Sequence, residues 1–198
     1  MNQGLLRDCY FLSALSALAE NPHRIKNIFH TKTVTDSGAY AVKLFVNGEP
    51  MDIVVDDYFP FDKRPHKNCW AFSRDTNENE IWVQILEKAY AKVFGSYEII
   101  EGGKAYQAFA NLTGYPSDVM YHDEIEHDTL WTMILKGARA DQPMVCDVNS
   151  KELGNADKMK KMGLADGHAY TMLTARTIFD EDDKAIRLVK IRNPYAAY

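Results

Sequence analysis

Hydrophobic and polar positions alternate along this chain in two rhythms, one helical and one of strands. From Cys9 the run Tyr10, Phe11, Leu12, Ala14, Leu15, Ala17, Leu18 and Ala19 is apolar on nearly every side, with small Ser13 and Ser16 between, and predicts a buried helix. Asp8 stands where an N-cap belongs and Asn21-Pro22 ends the segment. A short amphipathic piece follows from Arg24 to Phe29. Tyr40, Val42, Leu44 and Val46 then alternate with small or polar residues as a strand does, Asn47-Gly48 signals a hairpin, and Met51 to Val55 return. Asp56 to Asn79 is rich in Pro, Lys, Asp and Asn and predicts a long surface loop. Trp82, Ile85, Leu86, Ala89, Tyr90 and Val93 mark an amphipathic helix closed by Gly95, and a shorter helix spans Tyr106 to Leu112.

After Thr113-Gly114-Tyr115-Pro116 the pattern turns toward strands, which sets a boundary between a helix-rich part, 1–114, and a strand-rich part, 115–198. A helix through Leu130, Met133, Ile134 and Leu135 leads into the strand Met144 to Val148. A polar, lysine-rich loop carrying Lys158, Lys160 and Lys161 runs to Gly163. Ala169 to Ala175 and Ile186 to Ile191 predict an antiparallel pair joined by an acidic turn at Asp180 to Asp183, which reads as a solvated hairpin tip.

Composition narrows the class. With 46% hydrophobic and 26% charged residues over 198 positions, the chain has the make-up of a soluble globular protein able to bury a core. A net charge of −5 with no dense basic face argues against nucleic acid as a partner, and no apolar run reaches the length of a membrane span. Cys9, Cys69 and Cys146 are an odd number without a CxxC, which suits neither a disulfide framework nor a zinc site and favours a reducing, intracellular setting.

Cys9 is the residue that changes the picture. In the first turn of a helix, unpaired backbone N–H groups and the helix dipole favour its thiolate. Gln3, six residues earlier, can fold back so that its amide and the Cys9 backbone N–H face one substrate oxygen, the layout of an oxyanion hole. A small buried cysteine on an apolar helix is the plain alternative.

A thiol nucleophile needs a base, and six histidines compete. His23, His30 and His66 sit in polar settings and read as solvated surface, while His122 and His127 lie in an acidic helix start rather than a convergent metal site. His168 differs, because it opens a strand after the glycine-bearing loop Gly163 to Gly167. Asn193 ends the partner strand. Antiparallel pairing brings the two together, so that the asparagine carbonyl fixes one ring nitrogen and leaves the other for the thiol, with Cys9 and His168 sharing a proton as an ion pair.

Gln3 to Ala14, Gly163 to Ala175 and Ile191 to Tyr195 resemble the three signature segments of the calpain family of cysteine proteases, in the same order. Glu80 through Lys92, Gly95 to Glu98 and Gly102 to Gly114 resemble the same core, so the likeness covers nearly the whole chain. It implies an α+β, papain-like fold with a helical lobe carrying the cysteine and an antiparallel β lobe, incomplete at its C-terminal end, carrying His and Asn. It implies limited proteolysis of intracellular proteins, with calcium as a regulator and no cofactor in the chemistry itself. Cys9 becomes nucleophile, His168 base and acid, Asn193 orienter and Gln3 oxyanion donor; Gly102 and Gly103 resemble the segment whose backbone meets substrate, and Glu80 a calcium ligand. Arg7, Tyr10 and Tyr195 depart from the family's Gly, Trp and Trp. The resemblance implies further calcium ligands of the cysteine lobe before Gln3, those of the second lobe and its closing strands beyond Asn193, and other domains of a longer protein as partners. Two other readings stand beside the protease: a silent calpain-like interaction module, and an acyl-transfer enzyme using the same triad.

Overall fold

The computed structural model describes residues 1–64, 69–77, 79–148 and 156–195. His66 and the side chain of Lys158 lie outside these. The elements in order are α1 (Cys9–Ala19), α2 (Pro22–Lys26), β1 (Ala39–Val46), β2 (Glu49–Asp56), β3 (Phe61–Asp62), β4 (Cys69–Trp70), α3 (Trp82–Phe94), α4 (Ala105–Thr113), α5 (His127–Arg139), β5 (Met144–Val148), α6 (Ala156–Lys161), β6 (His168–Phe179) and β7 (Ala185–Arg192). Mixed helices and antiparallel sheets make this an α+β fold, consistent with a papain-like protease core.

Helix α1 is the axis of the molecule. Every residue from Tyr10 to Leu18 is buried, because Ser13, Ala14, Ser16 and Ala17 are small enough to let neighbours approach on all sides. It packs against α2, α4, β5 and β6. Phe11, Leu12 and Leu15 are sealed from solvent, and each such side chain contributes about 1.5–3 kcal/mol by leaving water. On α3, Tyr90 stacks on Phe11 with ring centroids 4.3 Å apart.

The β1–β2 hairpin turns at Asn47 and Gly48, both at positive φ (52° and 84°), the conformation an Asn-Gly turn supplies at low cost. Tyr40, Val42 and Leu44 point inward with Ile53 and Val55. Helix α3 is clipped to β2 by Lys92 Nζ, which donates to the Val54 carbonyl at 2.6 Å, and by Lys88 with Asp56 at 2.5 Å. The expected long loop after β2 holds two short strands, and its later part, Ala71 to Arg74, binds the N-terminus: Leu5 N–H donates to Ala71 O at 2.8 Å and Asn2 N–H to Arg74 O at 2.7 Å.

A second sheet runs β5-β6-β7, all antiparallel. The expected lysine-rich loop before β6 contains helix α6, whose apolar Met159 is buried; six residues offered too short a pattern to reveal it. Strand β6 runs four residues further at its C-terminal end than periodicity suggested, with a bulge between Met172 and Thr174. Two reciprocal bonds join this sheet to α1. Ser13 Oγ donates to Ala169 O at 2.9 Å, and Thr171 Oγ1 donates to Ser13 O at 2.8 Å. Arg192 adds a third link, donating to Ser16 Oγ and to Glu20.

Candidate active site

Cys9 is the first residue of α1 and is half-buried. Its backbone start differs from expectation: Asp8 occupies the N-cap position, yet its side chain makes no cap bond and is buried. The sulfur lies beside the backbone N–H of Ala169, which favours the thiolate, but burial outweighs this and pushes the thiol up. The N-terminal turn of the helix therefore does not by itself make Cys9 acidic.

His168 opens β6 opposite Val148 and is buried. Its Nε2 lies 2.8 Å from Asn193 Oδ1. An amide oxygen accepts only, so Nε2 carries the hydrogen and Nδ1 is left bare. Burial holds the imidazole below its ordinary pKa, and the bond to Asn193 acts the other way. Tyr195 lies parallel to the ring at 4.3 Å between centroids, and Tyr170 meets it edge-on at 4.9 Å. Asn193 is itself anchored, since its Oδ1 also accepts from Tyr195 N–H at 2.9 Å. Burial thus pushes the thiol up and the imidazole down, each away from the charged form it takes in an ion pair.

Gln3 reaches this place through its backbone, which donates to Pro194 O at 2.8 Å, one residue past Asn193. Its side chain is buried, with one amide N–H given to Leu6 O at 2.6 Å. The amide's second hydrogen is not consumed by that bond. Gly102 N–H donates to Arg7 O at 2.8 Å, which ties the exposed Gly102-Gly103 backbone to the turn before Cys9. Arg7 is exposed, and Tyr10 packs under Gly103 so closely that a Cβ there would sit 2.5 Å from the ring. Cys9, His168, Asn193, Gln3 and the glycine pair thus surround one region.

Taken with the order of the three segments, the match to known proteins decides the family. A model of the calpain family of cysteine proteases matches residues 1–198. The chain belongs to the calpain family. It is 36% identical over 200 residues to the Calpain-type cysteine protease DEK1 of Zea mays, covering 98% of this chain and 9% of that protein. It is 31% identical to the Calpain-1 catalytic subunit of Rattus norvegicus, again over 98% of this chain and 27% of the relative. The chain therefore spans between about a tenth and about a quarter of the relatives it matches.

Glu80 stands apart from the catalytic region. It is exposed on the turn before α3, and its Oε1 accepts from Asn77 Nδ2 at 2.8 Å while Asp75 Oδ1 accepts from Asn77 N–H at 2.9 Å. Oxygen donors of this kind suit calcium, but among the described residues no three His, Cys, Asp or Glu side chains converge on a metal position. The described residues do not by themselves complete a site.

Sequence patterns alone passed over several residues that shape the region. Ser13 and Thr171 join the Cys9 helix to the His168 strand, Tyr170 receives Ala165 N–H on its hydroxyl at 2.7 Å, and Glu87 is a buried acid on α3. Glu87 left a readable sign: it falls in line with Val83 and Tyr90 on the apolar face. The acidic turn at Asp180 is a hairpin tip, its Oδ1 accepting from Asp182 and Lys184 N–H. His30 is a surface residue paired with Asp52 at 2.7 Å. Cys146 is pushed up to about 11 by burial in β5.

Proposed function

We propose that this chain is the core of a cysteine endopeptidase that cleaves intracellular proteins at limited positions, in a cleft between residues 1–114 and 115–198. The observation that carries the reading is the Nε2 bond from His168 to Asn193, which leaves Nδ1 bare on the strand whose next residue, Ala169, lies against the Cys9 sulfur.

His168 Nδ1 takes the thiol proton as Cys9 sulfur attacks the scissile carbonyl carbon. The oxygen gains the negative charge and is met by the Cys9 backbone N–H and the free amide hydrogen of Gln3. The C–N bond breaks as the imidazolium gives its proton to the departing amine, leaving a thioester on Cys9. Water, deprotonated by His168, then attacks that thioester; the acid product leaves and the proton returns to sulfur. Gly102 and Gly103 offer backbone groups to an extended substrate, and their lack of side chains lets it approach.

Calcium would enter only as a regulator of activity, with Glu80 supplying one oxygen of a site that the described residues leave incomplete, and no step runs through it. Other domains of a longer protein are the expected partners; nucleic acid is not, and among the described residues no helix is long and apolar enough to cross a membrane. The upward push on the Cys9 thiol and the downward push on the His168 imidazole lend weight to a second reading, a calpain-like module that binds without cutting.

An epoxide that alkylates activated thiols separates them. With adducts mapped by mass spectrometry beside Cys9→Ala, selective labelling of Cys9, faster with added calcium, is the expected result. No Cys9 adduct at any calcium level would sink the protease reading in favour of the silent module. Labelled Cys9 without cleavage of a denatured protein substrate would instead favour acyl transfer.

A further inference from the structure

Directly beneath the nucleophile lies a pair of acids that the proposed chemistry does not use. Asp8 precedes Cys9 and is fully buried; Glu87, on the inner face of α3, is 1% exposed. Among the described residues no N–H or O–H of another residue donates to either oxygen of Asp8. What stands against it is the Glu87 carboxyl, which already accepts Ser73 N–H on both oxygens at 3.2 Å. Two acceptors facing each other in a dry site cannot both be charged, and a single proton turns the clash into a hydrogen bond.

We infer that Asp8 and Glu87 hold one proton between them, carried on Asp8, and that the pair positions the catalytic region by joining the nucleophile helix to the segment that holds Gln3. The proton belongs on Asp8 because Glu87 accepts Ser73 N–H on both oxygens, whereas Asp8 is faced by no donor beyond its own backbone N–H. Its consequence is electrostatic as well as mechanical. A charged Asp8 disfavours the Cys9 thiolate; a neutral one leaves the single charge on α3, bound to Ser73.

The mechanical path is continuous. Cys9 follows Asp8; Asp8 meets Glu87; Glu87 holds Ser73; and the residues on either side of Ser73 pair with Asn2 and Leu5, which flank Gln3. The titratable groups around the pair are Cys9 and Tyr10 from α1, Tyr97, and Glu101 ahead of the glycine pair, with Tyr90 from α3 reached through Tyr10. None of these is a cation. Burial, with Glu87 adding to it, pushes Asp8 far up, and burial pushes Glu87 up as well.

The inference rests on Cys9 being the nucleophile, so its test reads the proton and the thiol separately. In chain carrying 13C-carboxyl aspartate, infrared spectroscopy at neutral pH reports the C=O stretch of a protonated acid. One such band is expected in the wild type and in Cys9→Ser, and none in Asp8→Asn. Glu87→Gln keeps an acceptor for Ser73 and gives Asp8 an N–H partner, which moves the charge beside Cys9. Its pH profile for alkylation is expected to move to higher pH, with labelling at neutral pH slowed about tenfold, the equivalent of one pKa unit. Absence of the band in the wild type overturns the inference, and needs no variant to fold. A band that persists in Asp8→Asn, or an alkylation profile unmoved in folded Glu87→Gln, overturns it too. A band present with Cys9 unreactive at every pH supports the shared proton and rejects the protease reading instead.

Discussion

The imidazole of His168 and the phenol of Tyr195 lie face to face, with centroids 4.3 Å apart and planes inclined by only 7°. Tyr195 follows Asn193 by two residues, so one short segment supplies both the bond in the plane of the imidazole and the surface against its face. Stacked aromatic pairs contribute about 0.5–1.5 kcal/mol beyond burial. Tyr195→Ala is therefore expected to slow Cys9 alkylation roughly tenfold at the upper end of that range, and Tyr195→Trp to leave it near wild type. A Tyr195→Ala rate equal to wild type in folded protein would remove the ring from the working region.

Asn193→Ala deletes the acceptor at Nε2. Two outcomes follow together: the ring loses its fixed tautomer, and the influence that raises its pKa is gone, leaving burial to lower it further. Peptide cleavage is expected to fall roughly a hundredfold, and the histidine titration followed by NMR to move to lower pH. Asn193→Asp reverses the second effect, since a carboxylate favours the imidazolium.

Stability should respond to pH in two opposed ways. Asp8 and Glu87 bind protons more tightly folded than unfolded, so their contribution is full below the unfolded carboxyl range of about 4 and is lost as pH rises through their raised values. His168 is lowered in the fold, so its contribution is full above about 6.5 and is lost as pH falls through that value toward its folded one. Urea midpoints measured across this span should fall with rising pH on the carboxyl account, and Asp8→Asn should flatten that fall. A wild-type and an Asp8→Asn curve of the same shape would contradict it.

The two glycines ahead of α4 should respond differently to alanine. At Gly103 a Cβ would meet the Tyr10 ring at 2.5 Å, and Tyr10 is buried; overpacking of this kind costs about 1–3 kcal/mol. At Gly102 the space is open and the objection is φ at +70°, a strain of about 1–2 kcal/mol. Gly103→Ala is expected to shift the ring environment of Tyr10 in aromatic NMR spectra, and Gly102→Ala to lower the melting temperature without moving those signals.

Much of this was legible from sequence because it depends on short-range pattern. The Asn47-Gly48 hairpin, the stripe on α3 and the strand pair ending at His168 and Asn193 each follow from local periodicity and turn chemistry. What stayed hidden depends on distant neighbours. Asp8 reads as a cap because caps are local, and only Glu87, 79 residues away, turns it inward. The acidity of Cys9 was misjudged for the same reason: a helix start is visible in sequence, the burial that overrides it is not. Ser13 looked like a spacer, since its partners on β6 lie more than 150 residues on.

Those partners carry a consequence for how the molecule fails. Ser13 gives its hydroxyl to Ala169 and takes the hydroxyl of Thr171, while Arg192 holds the same helix from β7. Cys9 and His168 are thereby placed in one cooperative unit, to be protected from or opened to hydrogen exchange together. A copy that begins to unravel parts the two at the first step, so on the proposed reading damage would make it silent rather than indiscriminate.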